Sequence, residues 1–143
     1  MIPHNKPTLG REEEQAAVAV LKSGWLSQGV EVEKFEQEFC KYLGVPEGHA
    51  VAVSSGTAAL YLALWALDAC GKSVAIPTYS CSSLRHAITM VGASQVLLDT
   101  EKGSPNIGIR QIEESKAEIA IVPHMYGIPI NLRRASNVLL IED

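Results

Sequence analysis

Cysteine is scarce. Cys40, Cys70 and Cys81 are the whole complement of a 143-residue chain. Three thiols, widely spaced and without a CxxC pair, imply neither a disulfide framework nor a zinc site, and fit the reduced state of a cytosol. Basic clusters are also missing. Twelve Lys and Arg stand against sixteen Asp and Glu, a net charge of −4 with no Lys/Arg block, so nucleic acid and anionic membrane are poor partners. The longest apolar run, Ala58 to Leu67, stops at Asp68, well short of the ~20 residues that a membrane span requires. "MIPHNKPTLG" lacks the basic-then-apolar build of a secretory signal. These absences lead us to expect a cytoplasmic protein with no membrane partner.

Nearly half of the residues are apolar, and internal repeats, low-complexity segments and an interdomain linker are absent, so the chain reads as one globular domain. Arg11–Ser23 is predicted to be a helix: Glu12, Glu13 and Glu14 suit its positive end, and Ala17, Val20 and Leu21 share a face. The loop "GWLSQG" follows. A second helix, "VEVEKFEQEFCKYLG", then repeats Val32, Phe35, Phe39 and Leu43 at helical spacing and ends on Gly44. Beyond it the rhythm changes. Strand-length apolar runs recur at His49–Val53, Ser73–Ile76, Gln95–Leu98, Ile119–Val122 and Val138–Ile141. Helical stretches at Thr57–Cys70, Ser82–Val91, Ile109–Lys116 and a short Asn131–Ala135 lie between them. That alternation predicts an α/β fold, a layered, mostly parallel sheet with flanking helices.

In such sheets ligands gather at the carboxyl ends of the strands. The residues following the five runs are therefore the site candidates: Ser54-Ser55-Gly56-Thr57, Pro77-Thr78-Tyr79-Ser80-Cys81, Asp99, Pro123-His124-Met125-Tyr126-Gly127 and Glu142-Asp143. Ser-Ser-Gly-Thr between a strand and a helix lets backbone N–H groups come close to an anion, which a helix N-terminus favours. "CGKS" at 70–73 resembles the end of a P-loop, but Ala66 stands where the first glycine belongs and a strand follows it. "AVSSG" at 52–56 resembles a nucleophile elbow centred on Ser54, with Asp99 and His124 in the hydrolase order, although it follows the first strand and not a later one.

"GWLSQGVEVEKFEQEF", "VAVSSGTAALYLALWAL", "VAIPTYSCSSLRHAITMVGASQVLLD", "VPHMYGIP" and "VLLIED" occur in that order. Together they resemble the N-terminal part of the large domain of DegT/StrS-type sugar aminotransferases, which use pyridoxal 5'-phosphate (PLP). The resemblance covers nearly the whole of residues 1–143. It implies a fold type I large domain without the small C-terminal domain, and a homodimer in the complete form. The implied reaction carries an amino group from an amino acid, glutamate or glutamine, to a keto-sugar nucleotide. It further implies that Gly56, Thr57 and Ala58 hold the cofactor phosphate and that Asp143 pairs with the pyridinium nitrogen. Where the family stacks an aromatic on the ring face this chain has Cys81, a departure that a soft sulfur can accommodate. Trp25 and Tyr126 are implied to face the substrate.

The family's Schiff-base lysine lies beyond the position of Asp143. None of the lysines at 6, 22, 34, 41, 72, 102 and 116 matches it, so no catalytic residue is assigned within the chain and turnover by the chain alone is not expected. "VLLIED" leads us to expect a natural protein that continues past Asp143. A catalytically dead binding module is the alternative, and a serine hydrolase using Ser54 a third. Plainer roles also stand beside each assignment: a helix cap for Ser54–Thr57, a solvated strand-end acid for Asp143, satisfied loop residues for His124 and Tyr126, and packing for Cys81 and Trp25.

Overall fold

The computed structural model describes residues 6–132 and 137–143. The chain, which composition reads as one domain, divides into two compact units, Met1–Ala52 and Val53–Asp143.

In the first unit α1 (Arg11–Ser23) and α2 (Val30–Leu43) form as expected. Each ends on a left-handed glycine, Gly24 at φ 73° and Gly44 at φ 70°, a conformation that costs glycine nothing. The apolar stripe of α2 is real, and the rings of Phe35 and Phe39 stack 5.9 Å apart. It is not buried, however: Phe35 is 57% and Phe39 44% exposed, Cys40 alone is buried in α2, and α1 buries nothing. Periodicity reports which residues face one way, and not whether anything covers them.

The run His49–Val53 is not a strand. The Ala52 amide donates to the side chain of Glu36 at 2.7 Å, and Val51 is 72% exposed. A strand exists only through ladder partners, and the run has none among the described residues. Length and apolarity misled here.

The second unit is a parallel sheet with helices on both faces. It comprises α3 (Gly56–Ala66), β1 (Ser73–Pro77), α4 (Ser82–Val91), β2 (Ser94–Leu98), α5 (Ile109–Ser115), β3 (Ile119–Val122) and β4 (Leu139–Glu142). The strands are ordered β2-β1-β3-β4, every pair parallel, as the alternation of runs predicts. Side chains alternate across the sheet. Val74, Ile76, Ile119 and Ile121 pack with Leu60 and Leu64 of α3 and Leu84 and Ile88 of α4. Ala75, Ala120 and Val122 face the other way, onto Ile107 and onto Ile112 of α5. Both faces of the central strands are thus covered, which is why they read as continuous apolar runs. Helix α3 is shorter than predicted because Leu67 caps it and Asp68 turns left-handed at φ 51°. Of the short helix expected at Asn131–Ala135, residues 131 and 132 are non-helical and the rest lies outside the described residues.

Candidate active site

The strand order fixes where a ligand can enter. From β1 the chain moves outward to β2, then crosses back to β3 and on to β4. The connections therefore diverge between β1 and β3, and the crevice at their carboxyl ends is the switch point at which such sheets bind ligands. Both helices of one face point their N-termini at this edge. The Gly71 amide, just past α3, donates to the carbonyl of Gly92, the C-cap of α4, at 3.0 Å. Their C-terminal ends thus meet at the far edge, where β1 and β2 begin.

At the N-terminus of α3, Ser55 is the cap, and its Oγ accepts from the Ala58 amide at 3.2 Å. The first intrahelical bond runs from the Ala59 amide to the Ser55 carbonyl, 3.0 Å. The amides of Gly56 and Thr57 stand ahead of that bond and project outward; the Ala58 amide is already engaged. Gly56 is unusual in needing to be glycine for neither common reason. Its φ is not in the left-handed range, and a Cβ there would meet no atom within 4 Å. Glycine at a helix position costs stability, so its use here suits a group that approaches the backbone from outside.

Around the crevice the loops after β1, β3 and β4 come together. Cys81 caps α4. Hydrogen bonds from the Ser83 hydroxyl, then from its amide, hold the thiol below its usual range, while the Asp143 carboxylate acts in the opposite sense. Asp143 extends the ladder past β4: its amide donates to Val122 O at 3.0 Å and its carbonyl accepts from the His124 amide at 2.9 Å. The carboxyl group is left exposed at the edge. Tyr126 sits in a 3₁₀ turn, Met125–Gly127, at φ 57°, and its phenol lies 2.9 Å from that of Tyr79. The pair spans the switch point, one partner after β1 and the other after β3. That bond holds the Tyr126 phenol above its ordinary range.

The hydrolase triad does not assemble. His124 Nδ1 accepts from the Ile130 amide at 3.2 Å, which places the ring proton on Nε2, where it faces Glu142 Oε2 at 2.9 Å. Neither nitrogen is left for Ser54, and Asp99 Oδ1 accepts the Thr100 amide. His124 is the satisfied loop residue of the plainer reading. Trp25, in the first unit, is not core: it is 65% exposed and donates Nε1–H to Gln28 O at 2.9 Å. A Cβ at Gly29 would fall 2.5 Å from that nitrogen, so glycine lets the indole fold down there.

A family model for DegT/DnrJ/EryC1/StrS aminotransferases matches residues 7–140. The chain belongs to that family. Among relatives of this DegT-family chain, the spore coat polysaccharide biosynthesis protein SpsC of Bacillus subtilis is 39% identical over 128 residues, 89% of this chain and 31% of that protein. The aminotransferase TlmJ of Streptoalloteichus hindustanus superposes with a TM-score of 0.90 at 31% identity, covering 100% of this chain and 42% of that one. The E. coli GDP-4-keto-6-deoxy-D-mannose-3-dehydratase with bound hydrated PLP gives 0.86 at 25% identity, over 99% of this chain and 40% of that one. The DegT-family chain thus spans about a third of the length of SpsC. No helix among the described residues is long and apolar enough to cross a membrane.

Sequence reasoning missed one residue that shapes this site. Asn106, 3% exposed, is the only buried polar side chain among the described residues. Its signal in the sequence is a lone amide in the apolar context "PNIGI", ahead of the helix predicted from Ile109.

Proposed function

We propose that this chain is the N-terminal part of the PLP-binding large domain of a fold type I aminotransferase, without the small C-terminal domain. The complete enzyme, a cytoplasmic homodimer in this reading, moves an amino group from glutamate or glutamine to a keto-sugar nucleotide. Family membership supports the class, and one observation carries the site. Gly56 opens α3 at the ligand edge with no side chain, where neither its backbone nor its packing asks for glycine.

The residues present fit the cofactor. The Gly56 and Thr57 amides and the positive end of α3 hold the phosphate, with Ala58 contributing once its amide turns from Ser55. Asp143 holds a proton on the pyridine nitrogen through a charge-assisted hydrogen bond. When bound, PLP supplies an electron sink for a carbanion. Cys81 lies against the ring face, and Tyr126 meets the substrate. Lys72 donates to Leu67 O at 2.9 Å and Lys116 caps α5, both at the edge opposite the site. None of the chain's lysines matches the family's Schiff-base position, so the reading assigns that amine to a segment of the complete protein outside this chain.

A second reading, PLP-dependent dehydration of a keto-sugar, is favoured by the likeness to the E. coli dehydratase. Borohydride reduction of the full-length protein loaded with PLP, followed by peptide mapping, tests the proposal. A pyridoxyl-lysine peptide together with transfer of ¹⁵N from glutamate or glutamine to the sugar is expected. A deoxygenated, nitrogen-free product means the dehydratase, whether or not a lysine is trapped. Bound, untrapped cofactor with no sugar product means a binding module, and labelling of Ser54 by a fluorophosphonate means a hydrolase.

A further inference from the structure

The turn that carries Tyr126 is exposed and conformationally costly, yet it is held at both ends by one buried side chain. Asn106 Oδ1 accepts the Met125 amide at 3.0 Å, and Nδ2 donates to the Ile128 carbonyl at 2.8 Å. The two partners fix the orientation of the amide group, since one offers only a proton and the other only a lone pair. Asn106 is itself immobilised: its amide donates to Ser104 Oγ at 3.1 Å and its carbonyl accepts from Glu101 at 2.9 Å. Between the two clamped positions Tyr126 adopts φ 57°, which a non-glycine residue holds only when its surroundings impose it. A turn free to relax would leave that region and carry the phenol away from Tyr79.

We propose that Asn106 is a positioning residue: its side-chain amide sets where the Tyr126 phenol stands over the crevice between β1 and β3, and with it the Tyr79–Tyr126 pair presented to substrate. The clause about substrate rests on the function proposed above; the clause about the turn does not. No other side chain among the described residues bonds to both ends of this turn.

The test uses the full-length protein labelled with ¹³Cζ-tyrosine, with Tyr126→Phe to assign the resonance. In Asn106→Ala and Asn106→Leu, Tyr126 should titrate at lower pH than in the parent, as it should in Tyr79→Phe. Combining Asn106→Ala with Tyr79→Phe should move it no further. A purely structural role would lower the melting temperature and leave Tyr126 titrating where it does in the parent, and that result overturns the proposal. Where Asn106→Ala does not fold, amide exchange in the parent protein decides: protection of the Met125 amide supports the clamp, and unprotected exchange overturns it. In the PLP-loaded enzyme the same variants should lose about tenfold in kcat/KM for the sugar, carried by KM; unchanged kinetics remove the substrate clause. Failure of the parent to bind PLP would count against the proposed function, while the tyrosine titration would still decide the role of Asn106.

Discussion

Replacing Gly56 should move stability and cofactor affinity in opposite directions. Two facts set the sign for the fold. The backbone at Gly56 is not left-handed, and a Cβ would meet nothing within 4 Å. Gly56→Ala therefore introduces no clash and removes disorder from the unfolded chain, a gain of up to about 1 kcal/mol in a helix. Gly56→Val should gain less, because its branched Cβ loses rotamer freedom in the first turn. For the cofactor the same open space is the approach to the amides of Gly56 and Thr57. An isopropyl group there holds a phosphate off the backbone, and affinity should fall roughly tenfold or more, about 1.4 kcal/mol. The assays are urea unfolding without PLP and a fluorescence titration with PLP, both on the full-length protein. A folded Gly56→Val that binds PLP as tightly as the parent would refute the cradle. A destabilised Gly56→Ala would refute the claim that the fold does not need this glycine.

Cys81, held below its usual range by Ser83, should be alkylated by iodoacetamide at lower pH in the parent than in Ser83→Ala; coincident profiles for the two proteins would contradict this. Ser55→Ala removes the cap on the Ala58 amide and should cost about 1 kcal/mol in urea unfolding. PLP affinity should not fall as it does in Gly56→Val, because the Gly56 and Thr57 amides stay in place and the Ala58 amide is released from Ser55.

Periodicity made most of the second unit legible. Val74, Ile76, Ile119 and Ile121 face one helical layer and Ala75, Ala120 and Val122 the other, so runs without polar alternation correctly announced a sheet covered on both sides. Residue type also located a helix cap within Ser54–Thr57 and the glycine stops at 24 and 44, because caps are local chemistry. What sequence could not supply was partnership. Among the described residues, His49–Val53 has the composition of a strand and no ladder, and the Phe35/Phe39 stripe has the spacing of a core face yet stands exposed. At the site, the strand-end residues were found by their order along the chain. The bonds that give them meaning join positions far apart, Tyr79 to Tyr126 and Asn106 to Met125 and Ile128. No spacing rule reaches across such distances.

The central claim is that Asp143, at the end of β4, keeps a proton on the cofactor's pyridine nitrogen. Asp143→Asn preserves the shape and the backbone bonds to Val122 and His124 but removes the charge that favours the protonated ring. The decisive measurement is the turnover of this variant in the full-length enzyme, with bound PLP quantified in the same sample. A loss of at least about a hundredfold, about 2.7 kcal/mol of barrier, with cofactor retained through its phosphate, is the predicted result. Near-parental turnover with PLP bound would contradict the account and leave Asp143 a solvated strand-end acid.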